Sequence, residues 1–222
     1  MIFTISDILR PEELKEITAI LERAEFVDGK LTAGWHAKLV KNNQQLKGGT
    51  SATQLKHKIE TALTNNALFQ TAIRPKKIHS LLFSRYQGGM SYDRHVDNAL
   101  MGKTNFWRSD VSFTLFLNSP SDYQGGELIV EGMQDDRAYK LEANSAILYP
   151  STTIHRVAPV TEGTRLVVVG WVQSFIRDAG DRELLFDLET ARRTMFAKTG
   201  KTPEFDLISK SIANLLRKWA EF

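Results

Sequence analysis

Residues 85–98, "RYQGGMSYDRHVDN", carry much of the information on how this chain folds. They join a glycine turn to a short strand-like run that contains His95 and Asp97. Side chains two residues apart on a strand point to the same side, so these two side chains can reach one point in space. An imidazole nitrogen and a carboxylate oxygen are good ligands for a first-row divalent metal. Two ligands alone hold a metal poorly, and we therefore expect a third one from elsewhere in the fold.

His155 is the best candidate for the third ligand. It follows "AILYPST" (146–152), a strand that ends in a turn, and it starts the hairpin "HRVAPVTEGTRLVV". In a double-stranded β-helix a late strand can return beside an early one, which would bring His155 to His95 and Asp97. The alternative is that His95 and Asp97 form only a hydrogen-bonded pair.

Arg165 lies ten residues beyond His155, at the start of the very apolar run "TRLVVVGWV". Burying its guanidinium without a partner would cost several kcal/mol, so the group needs an anion. Its planar fork suits a carboxylate. That carboxylate is either an internal Asp or Glu or the distal carboxylate of a small dicarboxylate bound at the metal. The turn "PVTEG" brings Arg165 back towards His155 and favours the second choice.

The region around these residues alternates in polarity with a period of two, which is typical of strands. Turn signals such as "QGGM" and "TEGT" separate the runs, and several strands at this spacing predict a sandwich or barrel. The predicted strands are "KIHSLLFSRYQ", "RSDVSFTLFLN", "GELIVEG", "RAYKLEANSAILYPS", "IHRVAPV" and "TRLVVVGWVQS".

Helical patterns flank this β region. Pro11 suits the first turn of a helix over "RPEELKEITAILERAEF", and "TSATQLKHKIETALTNNALFQ" predicts a second helix. A strand or hairpin is expected between them, where Trp35, Ala37 and Leu39 alternate. Two more helices follow residue 176, the last beginning at Pro203. The predicted class is α+β, with a helical support region (1–76), a β core (77–176) and a helical extension (177–222).

The composition of the chain argues against several classes of function. The chain has 222 residues, with 29 basic and 26 acidic residues spread along it, which argues against nucleic-acid binding. It has no apolar run of about 18 residues, so we expect no membrane span. It contains no cysteine, which excludes disulfides and thiolate chemistry and fits a reducing compartment. The N-terminus lacks the pattern of a secretory signal, and a cytoplasmic location is expected.

The chain resembles a known family. "RYQGGMSYDRHVDN", "SFTLFLN", "YQGGELIV" and "AILYPSTTIHRVAPVTEGTRLVVVGWVQS" are similar to the iron(II)- and 2-oxoglutarate-dependent dioxygenases of the prolyl 4-hydroxylase type. The flanking segments "AEFVDGKLTAG", "VKNNQQL" and "WVQSFIRDAGDRELLFDL" resemble the bacterial PKHD-type hydroxylases. The resemblance covers nearly the whole chain.

This resemblance implies a double-stranded β-helix (jelly-roll) core with helices packed on it, a site and a reaction. His95, Asp97 and His155 match the iron ligands, and Arg165 matches the arginine that binds the far carboxylate of 2-oxoglutarate. Tyr86 matches a tyrosine that helps to hold that cosubstrate. The implied reaction uses O2 and 2-oxoglutarate, releases succinate and CO2, and hydroxylates an unactivated C–H bond, commonly with L-ascorbate as a reductant. The chain departs from some relatives at "FTLFLN", where they carry a second cosubstrate tyrosine.

Other functions stay open at this point. A cupin-like module could hold a metal or a small acid without turnover, and a hydrolytic zinc site could use the same ligands. The substrate is also open among peptidyl proline, a free amino acid and a siderophore-related molecule. The helical tail could pack against a second copy to form a homodimer.

Several residues near the predicted site have two possible roles. The segment 98–110 is either a substrate lid or an ordinary connection. The polar run 41–44 either lines the pocket mouth or forms a solvated turn, and the solvated turn is the expectation. We expect Tyr92 and Arg94 to face away from the metal, Trp171 to lie in the core, and Gly125 and Gly126 to have positive φ.

Overall fold

The computed structural model describes residues 1–102 and 104–222 of the chain. The helices in these residues are Pro11–Arg23 (α1), Thr50–Asn65 (α2), Ala67–Ile73 (α3), Ala179–Thr199 (α4) and Pro203–Trp219 (α5). The strands are Phe3–Ile5 (β1), Phe26–Asp28 (β2), Lys41–Asn42 (β3), Gln44–Leu46 (β4), Pro75–Tyr86 (β5), Ser91–His95 (β6), Leu100–Met101 (β7), Trp107–Arg108 (β8), Val111–Phe116 (β9), Tyr123–Gly125 (β10), Leu128–Val130 (β11), Arg137–Tyr139 (β12), Ala146–Pro150 (β13), His155–Val157 (β14), Val160–Gly163 (β15) and Arg165–Ser174 (β16).

Two antiparallel sheets form the core, and they confirm the predicted α+β jelly roll. The large sheet has the order β1-β13-β9-β16-β5-β4-β2, and the small sheet has the order β12-β11-β14-β6-β3. Several pairs join strands far apart in the chain, among them β1-β13, β9-β16 and β6-β14, as expected when late strands return beside early ones. The pairs β10-β15 and β7-β8 form two further ladders.

The large sheet is covered on both faces. Between the sheet and helices α1–α3 lies a cluster that includes Leu21, Ile59 and Val168. Between the two sheets lies a second cluster that includes Tyr86 and Val167. Consecutive residues of β16 thus enter different clusters, because side chains alternate across a strand. This two-sided burial explains why the run "LVVV" is continuously apolar.

The predicted helices are confirmed with one change. Helix α1 begins at Pro11 and buries Ile17, and α5 begins at Pro203. The predicted second helix is divided at Asn66, whose side chain accepts a hydrogen bond from the Phe69 amide at 2.9 Å and so caps α3. Within the described residues, no helix has the length and apolar character that crossing a membrane requires.

The strand or hairpin expected between the first two helices forms, since β2 pairs with β4, but the alternating residues 35–39 are not part of it. Two short 3₁₀ helices, Gly29–Thr32 and Ala37–Leu39, occupy this region, and Trp35 and Leu39 are 85% and 83% exposed. The Asp28 side chain accepts a hydrogen bond from the Lys30 amide at 2.8 Å. This contact turns the chain into a helical turn at the point where a strand would have continued.

The N-terminal region takes part in both sheets. Strand β1 pairs with β13 at one edge of the large sheet, while β2 and β4 extend the opposite edge. Strand β3 adds to the small sheet through its pairing with β6. The division of the chain at residues 76 and 176 therefore stays a prediction about sequence regions.

The close packing of β16 generates a test of this fold. A Cβ atom at Gly170 would lie 2.6 Å from Leu81 Cδ2 and 2.7 Å from Phe113 Cζ, both in the core. Since overpacking a core costs about 1–3 kcal/mol, Gly170→Ala should lower the free energy of unfolding by that amount in urea denaturation. Gly48→Ala is the matched control, because a Cβ atom at Gly48 would meet no other atom within 4 Å. An unchanged stability for Gly170→Ala would contradict the described packing.

Candidate active site

The two histidines of the predicted triad meet across a pair of antiparallel strands. His95 ends β6, His155 begins β14, and the two residues are direct partners in the register. Their ring centroids lie 4.3 Å apart. Asp97 follows two residues after His95, and its Oδ2 atom lies 3.8 Å from Nε2 of His155. One ligand atom from each of the three residues lies within 4.8 Å of the others, so the structure brings the predicted triad together.

The same local hydrogen bond orients both imidazoles. Nδ1 of His95 lies 2.7 Å from the Asp93 carbonyl oxygen, and Nδ1 of His155 lies 3.0 Å from the Thr153 carbonyl oxygen. Because a carbonyl can only accept, each Nδ1 carries the hydrogen and each Nε2 keeps its lone pair. This is the arrangement in which a backbone partner sets the tautomer of a metal-binding histidine.

Burial keeps the His95 ring neutral. Burial, followed by the proximity of His155, lowers the pKa of His95 to about 4. A metal ligand must be an unprotonated imidazole, so this environment favours the binding-competent form at neutral pH.

A pair of serines fixes the carboxylate of Asp97. Ser112 donates a hydrogen bond to Oδ2 of Asp97 at 2.6 Å, and its Oγ lies 2.8 Å from Oγ of Ser151. Since Ser112 has one hydroxyl hydrogen and gives it to Asp97, Ser151 must be the donor between the two serines. Ser112 was not among the site residues predicted from the sequence. The feature that could have identified it is the position of a polar serine within the otherwise largely apolar run "VSFTLF".

Arg165 is buried between aromatic rings and has no counter-ion among the described residues. It is 1% exposed, and Nε, Nη1 and Nη2 all lack a hydrogen-bond partner there. Its guanidinium lies 5.0 Å from the ring centroid of Tyr86, its direct partner across β5 and β16, and 5.3 Å from that of Phe116. Burial lowers the pKa of Arg165, while the neighbouring Tyr86, Tyr123 and Tyr149 act in the opposite direction.

Gly126 makes room for this arginine. Its φ of 72° confirms the positive value expected for the glycine pair, as does the φ of 71° at Gly125. A Cβ atom at Gly126 would lie 3.0 Å from Cδ of Arg165 and 2.9 Å from Cγ2 of Val160. Glycine is therefore needed here both for its backbone conformation and for the space that the arginine stem occupies.

One cavity of about 490 Å³ joins the triad to Arg165 and Tyr86. All five predicted site residues line it, so the structure brings together every residue that the sequence selected. Tyr149 also lines the cavity, with its ring centroid 5.0 Å from that of His155. Sequence patterns alone did not separate Tyr149 from the other apolar residues of β13.

The expectation that Tyr92 faces away from the metal is wrong. Its ring stacks on His95 with a centroid distance of 3.6 Å. The pairing of β6 with β14 shifts by one residue between His95 and Tyr92, since their partners are His155 and Val157. Strand β6 thus has one extra residue between these two positions. For this reason Tyr92 and His95, which are three residues apart, lie on the same face of the sheet. Arg94 does face away, and it pairs with Glu131 at 2.7 Å.

Two further expectations are corrected. The run 41–44 is not a solvated turn throughout, because Lys41 and Asn43 are buried and line the cavity. Trp171 is half-buried and also lines the cavity, so it is more than a core residue. In both cases the strand pairing, which the local sequence does not specify, decides which side chains turn inward.

The possible lid, segment 98–110, is described except for Lys103, which lies outside the described residues. Leu100–Met101 pairs with Trp107–Arg108 in a small ladder. Leu100 and Met101 line the cavity, and Leu100 is largely exposed. The segment thus borders the site, and its action as a lid stays a prediction.

Comparisons with known proteins agree with this geometry. A family model described as the 2OG-Fe(II) oxygenase superfamily matches residues 81–173. PKHD-type hydroxylases of Gloeothece citriformis and Acaryochloris marina are 70% identical over 221 residues and 64% identical over 222 residues, and each match covers 100% of both chains. A solved prolyl hydroxylase from Trichoplax adhaerens has the same fold, with a TM-score of 0.55 and 16% identity over 82% of this chain and 86% of its own.

A jelly roll that presents two histidines and a carboxylate on one face is typical of non-haem iron oxygenases. The chain belongs to the PKHD-type hydroxylases, within the 2OG-Fe(II) oxygenase superfamily. It is accordingly an iron(II)- and 2-oxoglutarate-dependent dioxygenase. This membership favours an enzyme over the binding module and the hydrolytic zinc site considered above.

The serine pair generates a test of the metal site. Ser112→Ala removes the hydrogen bond that orients Asp97, and loss of such an outer partner weakens metal binding by about 10–100-fold. Mn(II) affinity measured by isothermal titration calorimetry should fall accordingly. Ser151→Ala, one hydrogen bond further from the carboxylate, should have a smaller effect. Equal Mn(II) affinity in Ser112→Ala and the unaltered protein would rule out this positioning role.

Proposed function

We propose that His95, Asp97 and His155 hold the iron(II) ion of this hydroxylase. In the same cavity, Arg165 binds the far carboxylate of 2-oxoglutarate, and Tyr86 supports that cosubstrate. The observation that carries this proposal is the fully buried guanidinium of Arg165, which has no partner among the described residues and lies in the cavity that the triad also lines.

The side chains fit both groups. Two imidazole nitrogens and one carboxylate oxygen form the donor set that non-haem iron(II) sites use, with coordination positions left over for other ligands. A buried guanidinium fits a carboxylate that it can bind through two parallel hydrogen bonds. A dicarboxylate cosubstrate would thus satisfy the arginine at one end while its other end reaches the metal.

When bound, iron and 2-oxoglutarate supply the oxidising chemistry, in which O2 is consumed, 2-oxoglutarate becomes succinate and CO2, and a substrate C–H bond becomes C–OH. The protein orients these groups. The backbone carbonyls of Asp93 and Thr153 keep Nε2 of each histidine unprotonated. Ser112 holds the Asp97 carboxylate.

The walls of the cavity keep water from the reaction. Tyr149 and Val157 are buried beside the triad, and Val167 packs with them between the sheets. Such an apolar surrounding strengthens the electrostatic contact between Arg165 and a carboxylate and limits side reactions. L-Ascorbate as a reductant, a cytoplasmic location and a homodimer built by the helical tail remain parts of this proposal that rest on the family resemblance and the composition.

Two variants separate the metal site from the cosubstrate site. His155→Ala should abolish tight Mn(II) binding. Arg165→Met should leave Mn(II) binding unchanged but weaken 2-oxoglutarate binding by at least about tenfold, because hydrogen bonds to a charged group contribute about 1.5–3 kcal/mol each. Calorimetry measures Mn(II) affinity on the metal-free protein and, under anaerobic conditions, 2-oxoglutarate affinity on the Mn(II)-loaded protein.

His57→Ala is the control for the histidine, because His57 is exposed on α2. It should bind Mn(II) and 2-oxoglutarate like the unaltered protein. The assignment of Arg165 would be wrong if Arg165→Met bound 2-oxoglutarate normally. Succinate release on addition of iron(II), 2-oxoglutarate and ascorbate then checks turnover itself.

A further inference from the structure

A second polar wall lies in the cavity, on the segment 41–46. Lys41 pairs with Tyr92 in the small sheet, whereas Gln45 pairs with Ser84 in the large sheet. The segment therefore crosses from one sheet to the other and closes one side of the cavity. Lys41 and Gln45 are 5% and 2% exposed and both line the cavity.

A hydrogen-bond chain sets the orientation of this wall. Nζ of Lys41 donates to Oγ1 of Thr32 at 3.1 Å. An ammonium group has no lone pair, so the Thr32 oxygen accepts there, and its one hydrogen is shared between Oε1 of Gln45 and the carbonyl oxygen of Gly29. This contact turns the Nε2 group of Gln45 the other way. Nε2 is buried and has no hydrogen-bond partner among the described residues.

Lys41 is a buried cation without an ion pair in the described part of the chain. Its ammonium lies 5.2 Å from the ring centroid of Tyr92, the ring that stacks on His95. Asp97 and Asp28 attract it from beyond salt-bridge distance, and burial lowers its pKa to about 8. Burying an unpaired charge is costly, so a bound anion would be strongly favoured here.

Lys41 and Arg165 are on different walls. Lys41 lies on β3 in the small sheet and Arg165 on β16 in the large sheet. If Arg165 takes the far carboxylate of 2-oxoglutarate, as proposed above, Lys41 is left for another anion. Oδ1 of Asn43 is also an unpaired acceptor. It is turned towards Gly29, so closely that a Cβ atom on Gly29 would overlap it. It therefore does not oppose the binding of an anion at Lys41.

We propose that Lys41 and Gln45 form the substrate-recognition site and that the substrate presents a carboxylate to them. The two groups offer a cationic donor and an amide donor to the same cavity that holds the triad. Two donors suit an acceptor-only group, and a carboxylate is the common organic group of that kind. The carboxylate comes either from a free amino acid or other small acid, or from the C-terminal end of a peptide. The proposal rests on the proposed function, which assigns Arg165 to the cosubstrate.

Matched probes test this inference without knowledge of the natural substrate. The protein is loaded with Zn(II) and N-oxalylglycine, an inert replacement for 2-oxoglutarate. N-acetyl amino acids and the corresponding N-acetyl amino amides are then compared at pH 7 by saturation-transfer difference NMR. The series leaves out aspartate and glutamate, because their side chains carry a carboxylate of their own. The acids should bind at least about tenfold more tightly than their amides, as expected for a hydrogen-bonded charge.

Variants of Lys41 and Gln45 test whether these two residues cause the preference for acids. Lys41→Met should abolish the preference for acids, Lys41→Arg should retain part of it, and Gln45→Leu should weaken it. Lys56→Met is the matched control, because Lys56 lines the same cavity but makes no hydrogen bond to the Lys41 chain. Free amino acids and tripeptides with the same C-terminal residues are then compared with each other. A preference for either class supports the proposal and identifies the source of the carboxylate.

Three results would overturn the proposal. The first is that no acid binds better than its amide, and the second is that Lys41→Met keeps the preference. The third is that Lys41→Met loses N-oxalylglycine, since Lys41 would then belong to the cosubstrate site. Failure of the unaltered protein to bind N-oxalylglycine would instead contradict the role of Arg165, so the two proposals fail by different observations.

Discussion

The pairing of His155 with His95 across β14 and β6 is the constraint on which the site depends. A slip of one residue would turn one imidazole to the opposite face of the sheet, because side chains alternate along a strand. The single-residue shift within this ladder has a second consequence, since it also turns Tyr92 onto His95. The small sheet thus brings two proposed metal ligands together, and it also supplies the tyrosine ring that stacks on one of them.

Two buried cations give the cavity its chemical character. Arg165 and Lys41 lie on the large and the small sheet, and neither has an ion pair in the described residues. Each is stacked on or near a tyrosine ring, which lessens the cost of burial but does not remove it. The extensive apolar clusters on both faces of the large sheet offset that cost. Under the two proposals made above, each of these charges would bind one anionic group, Arg165 on the large sheet and Lys41 on the small sheet.

Much of the fold and of the site could be predicted because the signals are local. The period of two in "TRLVVVGWVQS" reflects strand geometry, and Pro11 and Pro203 mark helix starts wherever they occur. Predictions failed where a contact with a distant residue decides the outcome. The alternation at Trp35 suggested a strand, but a strand needs a partner elsewhere in the fold, and residues 35–39 pair with none of the described strands. Lys41 looked solvated because its burial depends on strand β6, some fifty residues later in the chain.

The sequence by itself determined the chemical types of the ligands, the need of Arg165 for an anion and the strand character of the core, since these follow from side-chain chemistry and spacing. Only the tertiary structure decided that Ser112 holds Asp97, that Tyr149 lies against His155 and that the 41–46 segment forms a donor wall. The physical reason is that strand order and register bring together residues far apart in the chain. No local pattern encodes which of two alternating faces will meet the cavity.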